Sequence, residues 1–184
     1  MQTKETMMRV KPFAITLDVG TSLANRTGSW RTLKPVYVDR LPPCNAKCPA
    51  GEQCQAWLFH AQSGNYENAW KQIIEDNPFP AVMGRVCYHT CQGACNRNGI
   101  DEPVGINAVE RFLGDYALEK DWQLPVPAAD TGKRILIVGA GPAGLSAAYQ
   151  LRRLGHAVHV VESAEAAGGM MRYGIPKSRM PSSA

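Results

Sequence analysis

The sequence predicts an α + α/β chain, a small, mainly α-helical domain followed by a βαβ unit. Apolar residues recur at helical spacing between positions 53 and 116. A proline-rich stretch then breaks the pattern, and beyond it a short apolar strand runs into a glycine turn. With 184 residues, 45% hydrophobic and 20% charged, the chain can bury a core, and wholesale disorder is excluded.

Residues 1–34 hold no sustained periodicity and read as an extended or loosely packed arm. The helical domain spans 35–123 and opens on the turn-rich Asp39-Arg40-Leu41-Pro42-Pro43-Cys44. A first helix is expected from Gln53 to Gln62, with Trp57, Leu58 and Ala61 turned inward. A second runs from about Asn65 to Glu75, where Tyr66, Ala69, Trp70 and Ile73 share a face and Asn65 is placed to cap. Asn77-Pro78-Phe79-Pro80 stops it, because proline cannot continue a helix. Ile106, Val109, Leu113 and Tyr116 mark a third helix. Residues 124–132 form a linker.

Residues 133–184 change period. Arg134 to Val138 is a buried-type strand, Ala147, Leu151 and Leu154 fall on one helix face, and Ala157 to Val161 is a second strand. The chain ends soon afterwards on the polar stretch Lys177 to Ala184. A nucleotide-binding unit of this kind normally has more strands, so C-terminal truncation is expected.

Lys and Arg outnumber Asp and Glu by 6 to 2 in residues 1–34, trail by 7 to 12 in 35–130, and lead by 7 to 2 in 131–184. That division points to segments with different tasks rather than one basic surface, and no nucleic-acid partner is expected. No apolar run reaches membrane-spanning length, and the N-terminus lacks the apolar region of a secretory signal. A cytoplasmic protein without a membrane partner is the expectation.

Gly139-Ala140-Gly141-Pro142-Ala143-Gly144 matches G-x-G-x-x-G, a weak signal alone. Its context strengthens it, since it follows a strand, opens a helix, and precedes a second strand ending in Glu162. Gly139 permits the tight turn, Gly141 lets the backbone approach a pyrophosphate, and Gly144 lets helix and strand pack closely. The helix N-terminus offers amides to phosphate, and Pro142 costs little in the first turn. Glu162 is placed to accept ribose hydroxyls. Gly168 and Gly169 suit a backbone folded around a large flat cofactor, which favours FAD over NAD. Arg172 is a further candidate beside phosphate or flavin. A Rossmann-like FAD-binding unit is therefore predicted.

The six cysteines, with no export signal, favour metal or redox chemistry over disulfides. Their spacing is C-x3-C-P-x4-C for Cys44, Cys48 and Cys54, then C-x3-C-x3-C for Cys87, Cys91 and Cys95. On a helix the second group would share a face; in a loop it could wrap a cluster. An iron–sulfur cluster, a structural zinc site and inert thiols all remain open, although the C-x2-C knuckle common in zinc sites is absent and Cys48-Pro49 suits an iron–sulfur ligand. Cys54, inside the first helix, reads as a small core residue. His89 reads as a supporting residue rather than a ligand.

Cys44-Asn45-Ala46-Lys47-Cys48-Pro49, Gly84-Arg85-Val86-Cys87, Cys91, Cys95, Ile106-Asn107-Ala108-Val109-Glu110-Arg111, the Gly139 turn and Gly168 to Pro176 follow in one order. Together they resemble the small (beta) subunit of NADPH-dependent glutamate synthase, and they are similar to the N-terminal part of dihydropyrimidine dehydrogenase. The resemblance covers about residues 36–176. It implies [4Fe-4S] clusters in the helical domain and FAD in the next, with NAD(P)H bound by a further domain of the full-length relatives. Electrons would pass from NAD(P)H through FAD and the clusters to a catalytic partner subunit or a ferredoxin-like acceptor.

In those relatives a carboxylate or amide completes one cluster, and Glu110 matches its position. Relatives with two complete clusters carry a further C-x2-C, at whose positions this chain has Val36 and Asp39. The resemblance therefore implies one cluster on Cys48, Cys87 and Cys91 with Glu110. Cys44 and Cys95 would serve a second, altered cluster or none. A single all-cysteine cluster using Cys44 or Cys95 is the alternative.

The function expected is that of an oxidoreductase fragment in which the cofactors carry the chemistry, so no catalytic side chain is named. The rival is a non-catalytic, partner-docking module with a zinc or iron–sulfur helical domain.

Overall fold

The computed structural model describes residues 41–125 and 128–181. The arm at 1–34, the positions of Val36 and Asp39, and parts of the linker and of the polar tail lie outside the described residues. Leu41–Ala184 form one compact unit.

The helical part contains α1 (Pro43–Lys47), α2 (Cys54–Gln62), α3 (Tyr66–Ile73), α4 (Pro80–Val86), α5 (Thr90–Gly93), a 3-10 turn (Asn96–Gly99) and α6 (Ile106–Glu119). The three helices expected from periodicity are α2, α3 and α6. Their inward positions make the core, where Trp57, Ala69, Ile73, Ile106 and Leu113 join Cys54 and Cys91. Asn65 does precede α3, but its side chain makes no capping bond.

The short helices α4 and α5 have too few residues to show a period. Cys87, Cys91 and Cys95 do not share a helix face. Cys87 follows α4 in extended backbone, Cys91 lies within α5, and Cys95 follows α5, again extended. The break is at His89, whose φ of 42° is left-handed and cannot continue a helix.

Helices α4 and α6 pack with their backbones in close approach. A Cβ on Gly84 would collide with the Arg111 backbone, and one on Gly114 with the Ala81 backbone. Each glycine thus makes room for the opposite helix. Arg85 adds a bidentate pair to Asp115 at 2.7 and 2.9 Å. Because α4 runs into Cys87 and α6 carries Glu110, this packing sets how far apart those two side chains lie.

Strands β1 (Arg134–Val138) and β2 (Ala157–Val161) pair in parallel, Leu136 opposite His159, and α7 (Pro142–Arg153) connects them. Burial alternates along both strands, and Leu136 and Val138 are exposed, so the expectation of a wholly buried strand is corrected. On α7, Leu151 is half-buried, while Ala147 and Leu154 are exposed. Two strands, with neighbours about 4.8 Å apart, make a ribbon too narrow to cover that flank. The last helix is α8 (Met170–Tyr173).

Helix α7 leans on the helical part. Tyr149 packs against the cluster of Trp70, Ile74, Ala117 and Trp122. Gln150 and Arg153 donate to the Glu75 carbonyl at 2.9 and 2.7 Å, satisfying an acceptor left free just past the end of α3. Among the described residues, no helix is long and apolar enough to cross a membrane.

Candidate metal centre and dinucleotide turn

Cys48, Cys87 and Glu110 line a cavity of about 250 Å³ together with Pro49, Glu52, Asn77 and Met83. Cys91 is buried in the adjoining core. Cys44 on α1 and Cys95 after α5 do not line this cavity; α1 packs against α5, and both residues are half-buried.

The chain bends sharply after Cys48. Gly51 takes a φ of 77°, and the amides of Glu52, Ala50 and Gly51 turn toward the Cys48 sulfur. Such an amide concavity favours an anion. The Cys48 thiol is brought down to about 6, first by the hydrogen bond from Cys54 and then by those amides, with burial opposing. Cys54 is raised by its hydrogen bond to Cys48 and by burial. Burial likewise raises Cys87, and Cys91 to about 11. The N–H groups of Val104 and Arg97 lower Cys95.

Cys54 is the core residue expected from sequence, 1% exposed. Its sulfur also lies in a group with Cys48 and Glu52 whose ligand atoms are all within 4.8 Å of one another. Glu52 and Asn77 escaped the sequence reading. Both are buried with Glu110, and Asn77 bonds to both carboxyls. Burial, followed by the charge on Cys48, pushes Glu52 up to about 7. Burial, followed by the charges on Glu52 and Cys48, pushes Glu110 up to about 9. Thiols and carboxyls crowded into one dry site repel one another when ionised, and a cationic centre would offset that. Soft sulfur donors with a carboxylate fit iron, and the site therefore suits a cluster.

At the second site Gly139 takes a φ of 98°, and Gly141 precedes α7 with Pro142 in its first turn. No side chain caps the amides of that turn, where Ala143 and Gly144 lie. A Cβ on Gly144 would collide with the Gly139 carbonyl, the close packing that the motif requires. A Cβ on Gly141 would meet nothing nearer than the Gly169 Cα at 4.0 Å, which leaves an open cradle for phosphate. Gly168 donates to the Ala140 carbonyl at 2.8 Å, which folds the Gly168-Gly169 corner onto the turn.

Glu162 ends β2. One carboxylate oxygen accepts from the Ala140 amide at 2.7 Å; the other accepts from Ser163 and Ala164 at 2.7 and 3.0 Å. The amides of Ala164, Ala140 and Ser163 hold its carboxyl at about 2, well below the usual range. Arg172 donates to the Ala167 carbonyl at 2.9 Å and lines a cavity of about 180 Å³ with Gly168, Leu145 and Lys177. The thiol-lined cavity and the dinucleotide helix meet, since Pro142 and Ser146 of α7 also line it.

Residues 38–122 match the family model for dihydropyrimidine dehydrogenase domain II, 4Fe-4S cluster, and residues 137–178 match the NAD(P)-binding Rossmann-like domain. The chain is 42% identical over 134 residues to glutamate synthase [NADH] of Schizosaccharomyces pombe, covering 72% of this chain and 6% of that one. It is 39% identical over 134 residues to the glutamate synthase [NADPH] small chain of Bacillus subtilis, covering 72% and 27%. Against the NADP(+)-dependent formate dehydrogenase subunit beta of Moorella thermoacetica, identity is 36% over 162 residues, covering 76% and 23%. The chain thus spans less than a third of the length of each of these relatives. Residues 38–122 are therefore similar to the 4Fe-4S domain II of dihydropyrimidine dehydrogenase and residues 137–178 to an NAD(P)-binding Rossmann-like domain, and over 72% of its length the chain is similar to a glutamate synthase small chain.

Proposed function

We propose that this chain is the cofactor-bearing part of an oxidoreductase that carries electrons from NAD(P)H to a catalytic partner subunit or a ferredoxin-like acceptor. Cys48, Cys87 and Cys91 hold one [4Fe-4S] cluster, with Glu110 as fourth ligand. The turn at Gly139, Gly141 and Gly144 and the first turn of α7 at Pro142 and Ala143 hold FAD, Glu162 its ribose, and Gly169 and Arg172 the far side. A bound flavin accepts electrons in pairs and passes them on singly, and a cluster takes them one at a time.

The observation that carries this reading is the shared wall. Cys48, Cys87 and Glu110 line a single cavity with Pro142 and Ser146. The protein's part is to hold the two cofactors adjacent and dry. The hydrogen bond from Cys54, with the amides of the bend at Gly51, favours the ionised Cys48 sulfur, and Glu162 stiffens the turn. The names of two relatives, "small chain" and "subunit beta", favour a partner subunit here.

Anaerobic purification with iron, sulfide, zinc and flavin assays tests the reading. About four irons per chain with retained FAD is the expected result. Zinc without iron would overturn the redox function in favour of a docking module, and NADH retained in place of FAD would overturn the flavin assignment.

A further inference from the structure

We propose that Asn77 positions Glu110 for the cluster, its side-chain amide bridging two buried carboxyls and leaving the second Glu110 oxygen to face the thiols. This rests on the reading of Glu110 as a ligand.

Asn77 sits in the turn between α3 and α4 and is 5% exposed. Its Nδ2 donates to Glu52 Oε1 at 2.9 Å and to Glu110 Oε1 at 2.8 Å. Its Oδ1 accepts the Phe79 amide at 3.0 Å. An amide nitrogen has two hydrogens, and the two glutamates use both. With a donor on one side and two acceptors on the other, only one orientation of the amide satisfies all three neighbours. The amide therefore cannot turn, and the carboxyl of Glu110 is held with it.

The consequence for ligation is specific. Glu110 Oε1 accepts from Asn77, and Oε2, which has no hydrogen bond among the described residues, is the oxygen that would be offered to iron. An aliphatic residue at 77 would leave two buried carboxyls unpaired, and an aspartate would repel them. Glu52 completes the bracket, anchoring the far hydrogen of the amide so that the near one stays on Glu110. Partners of this kind, which orient a ligand without touching the metal, commonly matter to affinity almost as much as the ligands.

The full chain, reconstituted anaerobically with iron and sulfide, is compared as wild type, Asn77→Ser, Asn77→Asp and Glu110→Ala. Aspartate keeps an acceptor for the Phe79 amide and loses both donated hydrogens. Serine keeps an acceptor and a single, shorter hydroxyl donor that cannot bridge two carboxyls, so in both the turn survives while the bridge is cut. The readouts are far-UV circular dichroism, cluster retention against a chelator, and the EPR spectrum of the reduced cluster. Retention is expected to fall about ten- to a hundredfold in both Asn77 variants, with EPR spectra moved toward that of Glu110→Ala and helix content unchanged. Wild-type retention and EPR in the Asn77 variants, beside an altered Glu110→Ala, would overturn the proposal and leave the ligand reading intact. A wild-type EPR spectrum for Glu110→Ala would overturn the ligand reading itself, and the proposal with it. Loss of helix content in both Asn77 variants would make Asn77 a packing residue, which also overturns the proposal.

Discussion

The backbone amide of His89 donates to the sulfur of Cys87 at 3.2 Å, and it does so from a left-handed backbone, φ 42°. The same residue returns its ring Nδ1 to the Cys87 carbonyl at 3.0 Å. One strained residue, two positions past the extended Cys87 that ends α4, thus aims an amide at a candidate ligand and leads into α5. Hydrogen bonds to cluster sulfurs are among the determinants of reduction potential, so this amide matters beyond its part in the turn.

His89→Gly keeps the amide and removes the left-handed penalty of about 1–2 kcal/mol. Iron content should stay at the wild-type level, and the thermal midpoint should not fall. His89→Val, β-branched in the same conformation, should lower the midpoint. Loss of iron in the glycine variant would mean that the imidazole is itself a ligand.

Gly114→Ala puts a methyl group into the Ala81 backbone. Overpacking of this kind costs about 1–3 kcal/mol. The urea midpoint should drop, and cluster retention should drop with it, because forcing α4 from α6 separates Cys87 from Glu110. Destabilisation with full retention would show that the two side chains are positioned independently of the helix contact.

Without metal, the two buried carboxyls should contribute less stability as pH rises, against an opposite contribution from Cys48, held down at about 6. Burial raises Glu52 to about 7 and Glu110 to about 9 from an ordinary 4.5. The folded state therefore holds these protons more tightly than the unfolded chain. The stability this contributes is fully present below 4.5, and it is lost as pH climbs through 7 and 9. Urea melts of the metal-free chain between pH 5 and 9 should show the decline, and Glu110→Gln should flatten its upper part. A Glu110→Gln chain with the same pH dependence as wild type would contradict the burial of this carboxyl.

Gly141→Ala and Gly144→Ala should separate binding from folding. The Cβ at 141 enters the open cradle, so the thermal midpoint should hold while FAD binding weakens at least about tenfold, or ~1.4 kcal/mol. The Cβ at 144 strikes the Gly139 carbonyl, so there the turn itself should be destabilised. Calorimetry of both variants checks this, and cluster absorbance should survive in the first. Unchanged FAD affinity in Gly141→Ala would remove the turn from the dinucleotide site.

Periodicity and spacing alone determined much of this protein. Helices α2, α3 and α6 and both strands with their connection were legible in the sequence, whereas the grouping of Cys48, Cys87 and Cys91 with Glu110 came only from the family resemblance. Local preference and motif geometry act over a few residues and leave their mark there. Tertiary structure alone decided that Cys87, Cys91 and Cys95 leave a common helix face, that Leu136 and Val138 are exposed, and that Glu52 and Asn77 turn inward. Nothing local distinguishes a buried Glu52 from a solvated one, or an Asn77 that bridges two carboxyls from one that merely ends a helix. Burying such groups is unfavourable by itself. It becomes tolerable only when a partner such as Glu110, 33 positions away, arrives to share the hydrogen bonds. That meeting depends on α4 and α6 closing over two glycines, and so on the packing of the whole helical part.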